Sequence, residues 1–195
     1  MALVVLFMVT CYLRPSEAMG LKHGDFIPPA AGISRHWSLL LFRAKHGLTS
    51  KTGTTDDSIV LDIPQVQPWI ATVATVLRKG PECDCVWSFS YPAFVREFGR
   101  AVHRLGIEHP VVPYMGRHSG PSIDRALNTR DLQEIQKRGR WMVFRSVQRY
   151  EKHARLGEVM SSLRPDTLAW CRSAEAHLED MLLRCWPVLG PPPRA

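Results

Sequence analysis

Tyr114-Met115-Gly116-Arg117-His118, followed by Arg140-Trp141 and then Arg149-Tyr150, is the stretch on which the reading of this chain turns. Trp141 lies 24 positions after Arg117 and Tyr150 lies 9 positions after Trp141, separations that suit attack on a phosphodiester. Two cations upstream extend the set: Arg14 in Leu13-Arg14-Pro15-Ser16-Glu17 and Lys51 in Ser50-Lys51-Thr52-Gly53. Together these groups can surround one phosphate.

The charge distribution agrees with that placement. The 195 residues carry a net charge of +7, and residues 96 to 155 hold 13 Lys or Arg against 6 Asp or Glu, so this segment accounts for all of it. Clustered cations are the electrostatic footprint of a nucleic-acid surface, although a solvated basic face has the same composition. The length and the 45% hydrophobic content suffice for one domain with a sizeable core. Five cysteines, an odd number, do not make a secreted disulfide framework and are read as free thiols. Cys83-Asp84-Cys85 lacks the spacing of a zinc site, and no metal is expected.

Coarse patterning places the candidates. The apolar start, residues 1 to 13, lacks a basic leader and is too short for a bilayer span, so it reads as a core helix and no membrane contact is expected. Runs at 36–43 and 58–62 read as strands of a small antiparallel hairpin with Lys51 near its turn. Residues 66–79 and 91–105 show helical spacing, shorter helices follow Arg117 and Asp131, and a final helix runs from Pro165 to Trp186. On that helix Leu168, Cys171, Ala174, His177, Leu178, Met181, Leu182 and Cys185 form an apolar stripe, which packs on its own domain or docks on a partner. Residues 187–195 are Pro-rich and expected to be disordered.

The chemistry assigns roles. A phenol has an ordinary pKa of about 10, so Tyr150 needs a base or nearby cations to act as a nucleophile, and Arg145, Arg149, Lys152 and Arg155 are expected to favour its phenolate. Arg14 and Arg117 are the guanidinium forks for the non-bridging oxygens. Lys51 on its turn is the general acid for the leaving oxygen. Taken singly, each residue has a plainer reading: Tyr150 as an amphipathic surface residue, Arg14 as a helix-end charge, Lys51 as loop solvation and Trp141 as packing. Their common order and spacing favour the joint assignment.

Here the chain resembles the catalytic domain of the tyrosine recombinases, the phage-integrase-like enzymes that break and rejoin DNA, over residues 1 to about 156. The resemblance implies a mainly α fold of the α+β class, a helical bundle with a small antiparallel sheet near the N-terminal third. It implies Arg14 as the first catalytic arginine with Glu17 as its orienting carboxylate, Lys51 as the hairpin lysine with Lys45 close enough to compete, and Arg117 as the second arginine. Trp141 takes the His-or-Trp position and Tyr150 that of the nucleophile.

The departure from the family pattern is Tyr114, which stands at the His of His-x-x-Arg. His118 either takes over part of that duty or packs structurally, and packing is the preferred reading. Three regions are expected: a catalytic domain at 1–156 without the family's N-terminal core-binding domain, a helix at 157–186 for packing or protomer exchange, and the tail at 187–195. The implied function is site-specific cleavage and rejoining of double-stranded DNA through a 3′-phosphotyrosyl intermediate, in recombination or integration of a mobile element. A homo-oligomer on DNA, no cofactor, and a nuclear location in a eukaryote or a cytoplasmic, nucleoid one otherwise complete the expectation. The alternatives are a catalytically weakened DNA-binding module of the same descent and a basic helical interaction protein.

Overall fold

Apolar residues on every face of Ala2–Thr10 oblige that segment to be covered all round, and in the structure Leu3, Val4, Phe7 and Met8 are all buried. The structure, a computed structural model, describes residues 1–50, 56–64, 66–151 and 153–184, without the side chains of residues 67, 68, 153, 155, 183 and 184. Along the chain run α1 (Ala2–Thr10), α2 (Pro15–Met19), β1 (Phe26–Ile27), β2 (Ser38–Leu41), β3 (Asp57–Val60), α3 (Gln67–Leu77), α4 (Tyr91–Arg104), α5 (Met115–Ala126), α6 (Leu132–Gly139), α7 (His153–Ser161), α8 (Pro165–Ala176) and α9 (Leu178–Arg184). The described residues are thus mainly helical, with one three-stranded antiparallel sheet in the order β1-β2-β3, as the sequence led one to expect. None of their helices is long and apolar enough to cross a membrane.

Two compact units divide the chain: Met1–Ala18 with Phe89–Leu182, and a second built on Met19–Ser88. In the second unit, Leu39 faces Phe26 on one side and Ile59 on the other, and all three are buried. Alternation along each strand therefore puts one face of the sheet into the core. Helix α3 contributes Trp69, Ile70, Val73, Ala74 and Leu77 to the same unit's interior. The hairpin pairing of β2 and β3 is the expected one, whereas β1, two residues long, is too short to show a period in sequence. Glu82 collects Arg43 at 2.6 Å and also Lys45, the lysine that competes for the hairpin role. Lys51 itself lies outside the described residues.

The first unit is organised by the packing of α1 on α5. Gly116 and Gly120, one helical turn apart, let the helices approach: a Cβ on Gly120 would lie 1.9 Å from the Val9 carbonyl oxygen and 2.7 Å from the Tyr12 ring. Helix α6 starts with a capping box, in which Asp131 accepts from the Glu134 amide at 2.8 Å and Glu134 accepts from the Asp131 amide at 2.9 Å. Helix α4 starts at Ser90, which caps the Ala93 amide, with Pro92 in its first turn. Arg117 lies inside α5, which begins two residues before it.

The expected single C-terminal helix is two. The backbone leaves the helical region at His177 (φ −116°, ψ 19°), whose ring binds the Ser173 carbonyl at 2.9 Å, and α9 starts afresh at Leu178. The stripe is accordingly split. Leu182 is buried, Leu168, Ala174 and Leu178 are half-buried, and Cys171, His177 and Met181 are exposed. Cys185, Trp186 and the 187–195 tail lie outside the described residues.

The close approach at Gly120 gives a paired test. Gly120→Ala drives a methyl group into a backbone carbonyl and should lower stability by about 1–3 kcal/mol, the usual penalty of overpacking. Gly99→Ala, where an added Cβ meets nothing within 4 Å on α4, should raise stability by about 0.5–1 kcal/mol. Urea-denaturation midpoints of the two variants check the pair, and equal shifts would count against the α1–α5 packing.

Candidate active site

One carboxylate gathers three arginines. Glu17, at the first turn of α2, binds the Arg14 guanidinium through Oε1 at 2.5 Å and the Arg14 amide through Oε2 at 2.7 Å. Its Oε2 also meets Arg140 at 2.5 Å and stands 3.7 Å from Arg117. The Glu17 side chain is 5% exposed and that of Arg117 is 1% exposed, so these charges lie in a low-dielectric setting where an unpaired ion is strongly disfavoured. Arg14 is the most open of the three at 25%.

The Arg117 fork is held by backbone. Nη1 donates to the Tyr12 carbonyl and Nη2 to the Gly139 carbonyl at 2.5 Å, while the guanidinium carbon sits 4.7 Å from the Trp141 ring centroid. Burial, seconded by Arg14 and Arg140, lowers the Arg117 pKa to about 10 against the pull of Glu17, which leaves it protonated at neutral pH. Tyr12, which supplies one of the two carbonyls, and Arg140, which follows the other, adopt left-handed backbone at φ 52° and φ 55°. That conformation is unfavourable for non-glycine residues by roughly 1–2 kcal/mol each, and such strain concentrates at functional sites.

Arg140 ends α6 in a Schellman motif. The Trp141 amide donates to Gln136 O at 3.1 Å and the Arg140 amide to Lys137 O at 3.0 Å. The turn sends Arg140 to Glu17 and lays Trp141 on Arg117. Glycine is the usual occupant of the left-handed position, but here Gly139 precedes it for another reason. A Cβ at 139 would lie 1.7 Å from the Trp141 ring. Sequence reasoning quoted Arg140 beside Trp141 without giving it a place in the site; the signal was its position directly after a capped helix and a glycine.

Tyr150 sits on a single 3₁₀ turn, Gln148–Glu151, in an apolar cluster with Tyr12, Ile135 and Val147. The Trp141 ring packs 5.5 Å away. Its hydroxyl meets His118 Nδ1 at 2.6 Å, and the edge of the Tyr114 ring closes on the same imidazole at 5.1 Å. Beside packing, the preferred reading for His118, the imidazole makes a hydrogen bond to the Tyr150 hydroxyl. Tyr114, at the His position of the family pattern, touches His118 through its ring and is half-exposed.

The expectation that cations hold Tyr150 as phenolate is corrected. The residue is 4% exposed, and burial pushes its pKa up to about 12 although Arg149 and Arg117 pull it down. Desolvation wins because the phenolate would lose its water, while Arg149 stands 5.7 Å from the ring and binds the Ser146 carbonyl. Lys152 lies outside the described residues, as does the side chain of Arg155. Burial also lowers the His118 pKa, with Arg149 and Arg117 adding to it, so the imidazole is neutral at pH 7.

Arg14, Glu17, Arg117, Trp141, Tyr150, Tyr114 and His118 thus fall in one unit and in one connected set of contacts. Lys51 cannot be placed with them. Among solved structures the chain is similar to the XerH site-specific recombinase bound to its difH substrate in a pre-cleavage complex, with a TM-score of 0.54 and 17% identity. The match covers 82% of this chain and 44% of that one, so this chain spans less than half the length of that recombinase. No family model and no curated protein matches the sequence. The structural likeness establishes the fold alone, which is tyrosine-recombinase-like.

Glu17→Gln keeps the shape of the side chain and removes the charge that three guanidiniums share. We expect a loss of about 3–5 kcal/mol, as when one partner is removed from a buried ion pair, read as a lowered urea midpoint. An unchanged midpoint would show that the carboxylate does not organise the cluster.

Proposed function

We propose that this chain binds double-stranded DNA and cuts and rejoins it through a 3′-phosphotyrosyl bond to Tyr150. The observation that carries the reading is the contact chain from Glu17 through Arg117 and Trp141 to Tyr150 and His118. It joins a cluster of net positive charge to a phenol oxygen, which is what in-line displacement at phosphorus requires. The likeness to a recombinase bound to its DNA substrate supports the same reading.

In this mechanism Arg14 lies against the non-bridging oxygens; Arg117, given the same duty from the sequence, has its Nη atoms on the Tyr12 and Gly139 carbonyls and sits behind, and Arg140 takes its place at the phosphate. Tyr150 attacks phosphorus and the 5′ oxygen leaves with a proton, for which Lys51 keeps its assignment from the sequence. The phosphotyrosyl ester conserves the energy of the broken strand, so rejoining uses no nucleotide cofactor. Tyr150 is 4% exposed, so its turn shifts outward when a phosphodiester docks. Action as a homo-oligomer on DNA, in recombination or integration of a mobile element, and a location with the genome follow from this reading.

A second reading has its own support. The Nη atoms of Arg117 already serve backbone carbonyls and Tyr150 is buried, an arrangement equally suited to a DNA-binding module that has lost strand cleavage.

The two separate on a pool of nicked duplexes of randomised sequence. Denaturant-resistant protein–DNA adduct should form with the wild type and vanish with Tyr150→Phe, while binding of both falls steeply with salt, by about 0.9 log units per phosphate contact for each log unit of salt. Salt-dependent binding without adduct supports the second reading. Adduct retained by Tyr150→Phe removes Tyr150 from the role, and binding insensitive to salt defeats both readings.

A further inference from the structure

We infer that His118 is the base that takes the Tyr150 proton during strand cleavage and returns it during rejoining, an assignment that rests on the cleavage reading above. The geometry is direct. His118 Nδ1 lies 2.6 Å from the Tyr150 hydroxyl, within the range for proton transfer, and among the described residues the imidazole is that hydroxyl's hydrogen-bond partner. The acidic groups nearby are committed elsewhere. Asp124 accepts from Tyr12 and Arg130, Glu151 stands 3.9 Å from Arg125, and Glu17 serves three guanidiniums.

The imidazole is also held. It projects from α5 one turn after Tyr114, whose ring meets it in a T-shaped contact with centroids 5.1 Å apart, and the Tyr150 ring centroid lies 6.1 Å away on its other contact. Tyr114 thus occupies the place of a missing histidine while steadying the one that reaches the phenol. With the proton on Nε2, neutral His118 presents Nδ1 as an acceptor. A base is needed here. With its pKa pushed up to about 12 by burial, Tyr150 is protonated at pH 7, and its proton must leave as the phenol attacks.

The step balances as follows. The phenol O–H bond breaks and its proton passes to Nδ1, the Oη–P bond forms, and the P–O5′ bond breaks with its electron pair on the leaving oxygen. That oxygen takes a proton from the general acid. The imidazolium so formed faces Arg117 and Arg149, which disfavour it, and meets the rings of Tyr114 and Tyr150. It therefore gives the proton back readily when the 5′ hydroxyl attacks and the phenol departs.

Two measurements test this. The ¹⁵N shifts of the His118 ring in the DNA-free wild type should show the Nε2–H tautomer at pH 7; an Nδ1–H tautomer overturns the assignment. On the nicked pool, His118→Asn, which keeps an acceptor without a base, and His118→Gln should both slow adduct formation by about 10²–10⁴-fold with salt-dependent binding retained. The defect should persist on nicked duplexes with a sulfur leaving group at the 5′ position, which relieves the need for an acid but not for a base. Adduct at the wild-type rate in both variants, or full activity in His118→Asn alone, overturns the role as base while cleavage through Tyr150 stands. If the wild type forms no adduct, the cleavage reading falls and this assignment with it.

Discussion

The Glu17 carboxylate is the constraint on which this architecture depends. Three guanidiniums placed together without it would repel one another where there is little water to screen them. With it, Arg14 from the α1–α2 junction, Arg117 from α5 and Arg140 from the end of α6 meet at a single pair of oxygens. Among the described residues, three guanidiniums thus share one carboxylate.

Around that anchor, backbone does much of the positioning. Two left-handed residues, Tyr12 and Arg140, turn the chain at the ends of α1 and α6, and the carbonyls of Tyr12 and Gly139 become acceptors for the Arg117 fork. Gly139 has no Cβ because the Trp141 ring occupies that volume. The Trp141 ring then touches both Arg117 and Tyr150, so the charged cluster and the buried phenol share one aromatic wall. Burial of Tyr150 against that wall raises its pKa and makes the neighbouring imidazole chemically consequential.

Much of this was legible in the sequence because it is local or ordered. The apolar helix ahead of Arg14, the strand runs at 36–43 and 58–62, and the spacing of Arg117, Trp141 and Tyr150 all carry patterns that one sequence displays. What was not legible depends on distance and solvent. The row of arginines around Tyr150 suggested a phenolate, yet the sign of the shift is set by desolvation, which a count of charges cannot show. The contact between His118 and Tyr150 spans 32 positions and forms only when α5 meets the turn at 148–151. Arg140 was visible, but its role follows from a Schellman turn whose left-handed residue would ordinarily be sought at the glycine before it. The break at His177 lies within a continuous helical period and left no mark in it.

The central claim is that the charged cluster and the phenol oxygen serve one phosphorus atom. The most direct measurement is mass spectrometry of peptides from wild-type protein trapped on nicked DNA and digested to completion. The nucleotide mass should fall on the peptide containing Tyr150, linked through its phenol oxygen. Nucleotide found on Tyr114, Tyr12 or a serine instead would contradict it.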